Sequence, residues 1–339
     1  MKVAFLSYGF GMEVSGSGKY GFYLVKELQK LGVTIDVFNA KFIFKTFGAP
    51  MFYLKNAFLR LNDYDIVHSN EGSGIFLRHP CMIDTWHHDY RQSYDVNGLI
   101  FQNLEMLQGL KVRHIIVPSY ATKNALLRYG FREDKITVIY HGVDHTIFKK
   151  KNSSVLLRKK YGLSNDFVII NVGKLIKRKR QIDIINALAG IYDTALILVG
   201  EGKEESNIKR IAKEKQVKLI HFRRVPESFL VDLYNIADVY VHTSVLEGFG
   251  LTILEAMACG LPIVAYKVAD FTKIVQEAGV LLKLCDVRGI RDALFYLKEN
   301  MAEREKLGQI AQKESAKYTW EKTAKEHLNV YLRVINESQ

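Results

Sequence analysis

The sequence predicts an α/β protein built as two Rossmann-like domains facing one another across a cleft. Three observations carry that prediction. Short β-branched and apolar runs alternate with helix-length segments from end to end, the pattern of parallel strands joined by helical crossovers. A polar, lysine-rich stretch at 149–160 breaks the alternation near the middle, and the pattern restarts at Asp166. The chain has 339 residues, 48% of them apolar, enough to bury a core in each half.

Taken in order, the first half is expected to carry strands at 2–7, 34–38, 66–68, 81–85, 114–117 and 135–139, with helices at 18–31 and 121–129. The second is expected to carry strands at 168–172, 195–199, 218–222, 239–242, 263–265 and 280–282. Helices are expected there at 180–189, 204–214, 227–235, 251–258, 288–300 and 303–318, with a last one at 320–335. The domains are accordingly read as 1–150 and 151–319. Ligands of such sheets bind beyond the carboxyl ends of the strands, so candidate site residues belong there.

A formal net charge of +12 calls for an anionic partner: nucleic acid, a nucleotide-linked substrate or an acidic membrane surface. No zinc-finger spacing, RNA-recognition motif or helix-turn-helix signal is present, so nucleic acid is set aside. Three cysteines, Cys81, Cys259 and Cys285, lack metal-ligand spacing and fit a reduced, cytoplasmic chain better than a disulfide framework. No run approaches the ~18 apolar residues of a membrane-spanning helix. Met1 to Ser7 resembles a weak signal peptide, but the polar residues up to Lys19 favour a buried first strand.

The most informative stretch is Ser244-Val-Leu-Glu247-Gly-Phe-Gly-Leu-Thr-Ile-Leu-Glu255, ahead of Gly260 and Pro262. It leaves a strand, passes through the glycine-bracketed turn Gly248-Phe249-Gly250 and enters a helix at Leu251. A turn of that kind sets backbone N–H groups and the positive end of a helix beside a strand end, which suits phosphate or sugar oxygens. Two glutamates add acceptors for hydroxyl groups. Singly, each reads more readily as a capping or an ordinary solvated helix glutamate; the whole string reverses that preference. A second basic stretch, Asn171-Val-Gly173-Lys174-Leu-Ile-Lys177-Arg178-Lys179-Arg180, follows an apolar strand, where a charge run is more than a solvated face.

Together these stretches resemble the E-x7-E and G-R-L-x-x-x-K signatures of retaining glycosyltransferases of family 4, whose fold is called GT-B. The resemblance implies that Lys174 and Lys179 hold the donor diphosphate. Lys174 stands where the family has arginine and gives up the planar bidentate fork, with Lys177, Arg178 or Arg180 to compensate. It implies that Glu255 accepts from the ribose hydroxyls and that Glu247 lies near the transferred sugar or its phosphate. The amides of Gly248, Phe249, Gly250 and Leu251 contact sugar and phosphate oxygens on this reading. Val199-Gly-Glu-Gly202 and Phe222-Arg-Arg-Val225-Pro226 resemble the loops flanking the base, read by backbone groups near Val225.

In the first half, Gly11 to Tyr20 resembles the family's glycine-rich loop, with Gly16 and Gly18 allowing close backbone approach to phosphate or sugar. Asp84-Thr85-Trp86-His87-His88-Asp89 resembles the family's T-x-H segment. His87 is the expected catalytic histidine and His88 its alternate. Val117-Pro-Ser119 with Lys123, and Ile139-Tyr-His141-Gly-Val-Asp144, resemble cleft-lining segments with no assigned chemistry. Val268-Ala-Asp-Phe-Thr-Lys273 departs from the family's glycine pair and glutamate. The terminal helix, 320–337, is implied to pack back on the first domain.

The expected activity is therefore transfer of a hexose, EC 2.4 class, from a UDP- or GDP-linked sugar to a glycan or lipid-linked acceptor. His87, Lys179 and Glu247 are its catalytic set, no cofactor or metal is expected, and no D-x-D follows a strand. Two alternatives share the scaffold: a sugar-nucleotide 2-epimerase and a non-catalytic nucleotide- or glycan-binding protein. Lys41 to Lys45 and Met51 to Arg60 interleave aromatics with cations. That pattern suits either peripheral contact with an anionic inner membrane face or a helix with an apolar core side.

Overall fold

The computed structural model describes residues 1–11, 16–39, 52, 55–87, 96–151 and 155–338, and these residues divide into two compact units. The first comprises 1–142 and 319–339, the second 143–318.

The described residues of the first unit form a six-stranded parallel sheet of β1 (Lys2–Ser7), β2 (Thr34–Asn39), β3 (Ile66–Asn70), β4 (Met82–Thr85), β5 (His114–Val117) and β6 (Ile136–Val138). The strand order is β2-β1-β3-β4-β5-β6. All five residues of β3 and all four of β4 and of β5 are buried, as expected of strands covered on both faces. The register pairs Ser7 with Asn70 and Asn70 with Thr85, so three polar residues stand in a row at the carboxyl ends of β1, β3 and β4.

Two helices of this unit pack together, Gly16–Lys30 and Trp320–Asn336. The second is capped by Thr319, whose side chain accepts from the N–H of Lys322. Trp320 stacks on Tyr23 with ring centroids 5.1 Å apart and 5° between planes. Buried polar pairs fix the last helix to the first helix and to β3. Tyr20 Oη lies 2.7 Å from His327 Nε2, and Tyr331 Oη lies 2.6 Å from His68 Nδ1. His68 Nε2 reaches Thr85 Oγ1 at 2.7 Å.

The second unit has the sheet order β12-β11-β10-β7-β8-β9, again parallel throughout its described strands. These are β7 (Phe167–Val172), β8 (Thr194–Val199), β9 (Lys218–Phe222), β10 (Val239–His242), β11 (Ile263–Tyr266) and β12 (Gly279–Leu282). Its core joins Ile169, Leu196, Leu198, Val239, Val241 and Val264 to the helices Gln181–Leu188 and Val287–Glu299. The register pairs Val172 with Val199 and Val199 with Phe222, and His242 with Ala265, aligning the strand ends that lead into the basic, glycine-rich and E-x7-E turns.

The boundary falls earlier than the sequence reading. Residues 143–150 belong to the second unit: the Val143 N–H donates to Tyr318 O at 3.2 Å, and Phe148 is buried edge-on to Tyr234 at 6.2 Å. Their polar neighbours disguised two anchoring apolar side chains. Three described helices, Val96–Lys111, Val155–Lys160 and Phe271–Val275, were not expected. Among the described residues no helix is long and apolar enough to cross a membrane.

Candidate active site

In the second unit the site grows from two turns at the carboxyl ends of neighbouring strands. After β7 the chain bends through Gly173 and makes a 3-10 turn, Lys177–Lys179, which ends at Arg180 with φ 49°. After β10 it runs through Thr243 and Ser244 to Glu247 and the glycine turn. Hydrogen bonds tie the two turns together. The Val245 N–H donates to Arg178 O at 3.0 Å, Thr243 Oγ1 donates to Lys179 O at 2.8 Å, and an Arg178 guanidinium N–H donates to Leu246 O at 2.7 Å.

This clamp brings Lys179 and Glu247 into a largely buried ion pair, Nζ donating to Oε1. His242, at the end of β10, places Nε2 2.9 Å from the same oxygen. Burial alone would raise the Glu247 carboxyl. The charge of Lys179, the hydrogen bond from His242 and the charge of Arg178 outweigh it and hold the group well below the usual carboxylate range. Burial, with Arg178 and Lys174, lowers Lys179 from the ordinary lysine value against the pull of Glu247. The same burial lowers His242, so the imidazole is neutral and donates through Nε2 to a carboxylate that only accepts.

Gly250 has φ +93°, and a Cβ there would lie 2.7 Å from the ring of Phe271, so only glycine turns the chain into the helix Leu251–Ala258 at this point. Phe271 comes from the segment that departs from the family pattern. It is fully buried and meets the His242 ring edge-on at 5.5 Å. Glu255, one turn along the helix, is buried, with Tyr234 Oη donating to its Oε2 at 3.1 Å.

Lys174 is exposed, and its carbonyl accepts from Gln181 Nε2 at 3.0 Å. Gly200 allows the next loop to approach: its Cβ would lie 1.9 Å from Gly173 O. Half-buried Val225 follows Arg223 and Arg224, which pair with Glu205 and Glu201. His242 and Tyr234 were not among the residues singled out from the sequence. The available signal was a histidine ending an apolar strand five positions ahead of Glu247.

In the first unit, His87 lies two residues beyond β4, buried, with Nε2 2.7 Å from Asn70 Oδ1. Asn70 Nδ2 donates to Ser7 Oγ at 3.0 Å, and Ser7 Oγ donates to Gly9 O at 2.6 Å. The direction of that chain makes Asn70 Oδ1 the acceptor and Nε2 of His87 the donor, leaving Nδ1 as the ring's acceptor. Burial lowers His87 to about 3, so it is neutral. Gly16 opens the helix Gly16–Lys30 and is exposed, whereas Gly18 is buried with its carbonyl accepting from Gly11 at 3.3 Å. Ser119 caps the helix Tyr120–Arg128, and Asp144 Oδ1 accepts from the Thr146 N–H at 3.0 Å, both local structural bonds. His88, residues 12–15 of the glycine-rich loop and most of 41–54 lie outside the described residues.

Comparison with known proteins follows the same division. The model described as "Glycosyl transferases group 1" matches residues 155–314, and the one described as "Glycosyltransferase Family 4" matches residues 42–147. The chain is 27% identical over 212 residues to N-acetyl-alpha-D-glucosaminyl L-malate synthase of Bacillus anthracis, a match spanning 60% of this chain and only 55% of that synthase. Anabaena Alr3699/HepE, solved in complex with UDP and glucose, superposes with a TM-score of 0.78 at 22% identity, covering 97% of this chain and 98% of that one. Sucrose-phosphate synthase of Thermosynechococcus elongatus superposes with a TM-score of 0.84 at 20% identity, covering 99% of each chain. These superpositions establish a shared fold.

Proposed function

We propose, from the premise that the chain belongs to glycosyltransferase family 4 and has the GT-B fold, that it is a retaining, metal-independent transferase moving a hexose from a UDP-linked sugar to a glycan or lipid-linked acceptor. The observation that carries this reading is the largely buried Lys179–Glu247 pair at the ends of β7 and β10. Transfer requires that negative charge growing on a departing diphosphate be met by fixed cations and amides. Lys179 is such a cation, held in place by Glu247, with Lys174 and Arg178 acting on it electrostatically.

Glu255, buried against Tyr234, is the acceptor for ribose hydroxyls on this reading, and Glu247 faces the transferred sugar or its phosphate. His87 is neutral and presents Nδ1 as an acceptor for a sugar hydroxyl, with no role as an acid. The choice of uridine draws support from the Anabaena protein, solved with UDP and with UDP-glucose. The first unit supplies the acceptor side. Its exposed Lys55, Phe58 and Arg60 are proposed to touch anionic lipid. Phe52 is buried and takes no part in such a contact.

A thermal-shift screen of UDP, GDP and ADP and their sugar conjugates tests the donor, because a ligand that binds the folded state raises its melting temperature. UDP and a UDP-sugar are expected to give the largest shifts in metal-free buffer. A shift with GDP or ADP and none with UDP would contradict the choice of base.

A further inference from the structure

Glu247 divides its two carboxylate oxygens between different tasks. Oε1 accepts from both Lys179 Nζ and His242 Nε2. Among the described residues no hydrogen bond reaches Oε2, and Oε2 is not among the buried side-chain atoms left without a partner, so it opens toward solvent. The terminal torsion of a glutamate is broad and two-fold, so one cation alone does not fix the carboxylate plane. Either oxygen, or both together, can turn to Lys179.

His242 removes that freedom. Its ring is 2% exposed, and it is wedged between the Phe271 ring edge-on at 5.5 Å and the Tyr240 ring stacked at 5.9 Å. The Tyr240 hydroxyl closes the other ring nitrogen, 3.0 Å from Nδ1, and also lies 2.7 Å from Thr252 Oγ1 at the start of the next helix. The imidazole therefore cannot turn without breaking contacts to β10, to the helix Leu251–Ala258 and to Phe271. Nε2 is aimed at Oε1 from a direction other than that of Lys179.

We propose that His242 is a positioning residue for Glu247: with Lys179 it occupies Oε1 and so presents Oε2 to a hydroxyl of the donor sugar. This rests on the reading of Glu247 as a sugar-facing group. It assigns to His242 no contact with substrate. The charged and titratable groups facing the pair are Lys179 and Arg178 from the 3-10 turn, Lys174 near it and Tyr240 on β10.

The experiment is calorimetric titration of UDP and UDP-glucose into the wild type, His242→Leu, His242→Gln and Glu247→Gln. His242→Leu keeps the volume and removes the donor. It is expected to weaken UDP-glucose about tenfold and UDP no more than about twofold. His242→Gln, whose amide nitrogen falls near the place of Nε2, is expected to recover most of the loss. In His242→Leu the acid limb of UDP-glucose binding should also move to higher pH, because Glu247 loses a hydrogen bond that favours its ionised form. UDP binding reports on folding. Where the leucine variant does not fold, His242→Asn replaces it, its amide lying near Nδ1 and out of reach of Glu247.

Unchanged UDP-glucose affinity in His242→Leu would overturn the proposal. So would His242→Gln binding as weakly as the leucine variant, which would show that the ring matters only for packing. Glu247→Gln separates the two levels. If it leaves UDP-glucose affinity intact, the sugar-facing reading of Glu247 falls and the positioning role with it. If it weakens UDP-glucose while His242→Leu does not, only the role of His242 falls.

Discussion

Lys179 and Glu247, 68 residues apart in sequence, form one ion pair whose side chains are 15% and 10% exposed. The pair spans the two turns on which the proposed chemistry depends, so it ties the donor cation to the E-x7-E segment mechanically as well as electrostatically. Removing one partner of a buried pair leaves the other charge uncompensated, at a cost of about 3–5 kcal/mol.

Lys179→Ala is therefore expected to affect both stability and turnover. Turnover should fall by the equivalent of about 2.7–4 kcal/mol of barrier, by analogy with the loss of an oxyanion-hole donor. Stability should fall as well, and the double variant Lys179→Ala/Glu247→Ala should recover part of it without recovering turnover. Denaturant melts of the single and double variants, alongside donor turnover, check this. A double variant as unstable as the sum of its singles would show that the two groups act independently.

Glu255→Ala should chiefly weaken nucleotide binding. A lost hydrogen bond to a charged acceptor is worth about 1.5–3 kcal/mol, or roughly 10- to 150-fold in affinity. Tyr234, which donates to Glu255, gives a control: Tyr234→Phe should lower affinity by less than Glu255→Ala. Unchanged UDP affinity of Glu255→Ala in calorimetry would remove Glu255 from the ribose site.

Acid should unfold the first unit in a characteristic window. Burial depresses His87 to about 3 and His327 to about 4, and holds His68 and His141 well below the ordinary value of 6.5. A depressed folded-state value means that the stability is fully present above the unfolded-state value near 6.5 and is lost as pH falls toward 4 and 3. Each histidine contributes about 1.4 kcal/mol per pH unit in that interval. Asp84, raised by burial to about 8 in the same unit, opposes them: its contribution is lost as pH rises toward 8. The two tryptophans, Trp86 and Trp320, both lie in this unit, so their fluorescence reports on it alone. Denaturant midpoints by tryptophan fluorescence should fall steeply between pH 6.5 and 4.5, and less steeply in His327→Gln. A flat profile would show that these histidines are already protonated or solvated.

Cosedimentation with vesicles tests the lipid contact. Cations near an anionic surface contribute on the order of 1 kcal/mol each, attenuated over about a Debye length. The protein should pellet with phosphatidylserine-containing vesicles at low salt and be released at high salt, and Phe58→Ser should bind less. Indifference to anionic vesicles at low salt would point to a soluble acceptor.

Much of this architecture was legible in the sequence. All twelve described strands lie where short apolar runs were read; central strands such as β3, β4 and β5, buried at every position, leave an unbroken hydrophobic mark, and the edge strands β2, β9 and β12 a weaker one. Glu247, Glu255, Lys179 and His87 were singled out because their motifs resemble those of the family; Lys179, Glu247 and His87 lie in turns after β7, β10 and β4, and Glu255 lies inside the helix Leu251–Ala258. What escaped was whatever depends on a partner distant in sequence. Nothing local to Asn70 announces that it will hold His87, and nothing local to His242 announces that its ring is wedged against Phe271. The segment 268–273, which departs from the family's glycine pair and glutamate, supplies the buried ring of Phe271 against Gly250. The early boundary at Gly142 was hidden because Val143 and Phe148 anchor a stretch whose composition is otherwise polar.

The most direct test of the account is release of UDP from a UDP-sugar by the purified protein in metal-free buffer, measured beside Lys179→Ala and Glu247→Gln. Measurable release by the wild type is expected, with a loss of about 100-fold or more in each variant and nucleotide-dependent stabilisation of the fold retained in Glu247→Gln. Release that both variants sustain at the wild-type rate, or none from any UDP-, GDP- or ADP-linked hexose, would contradict it.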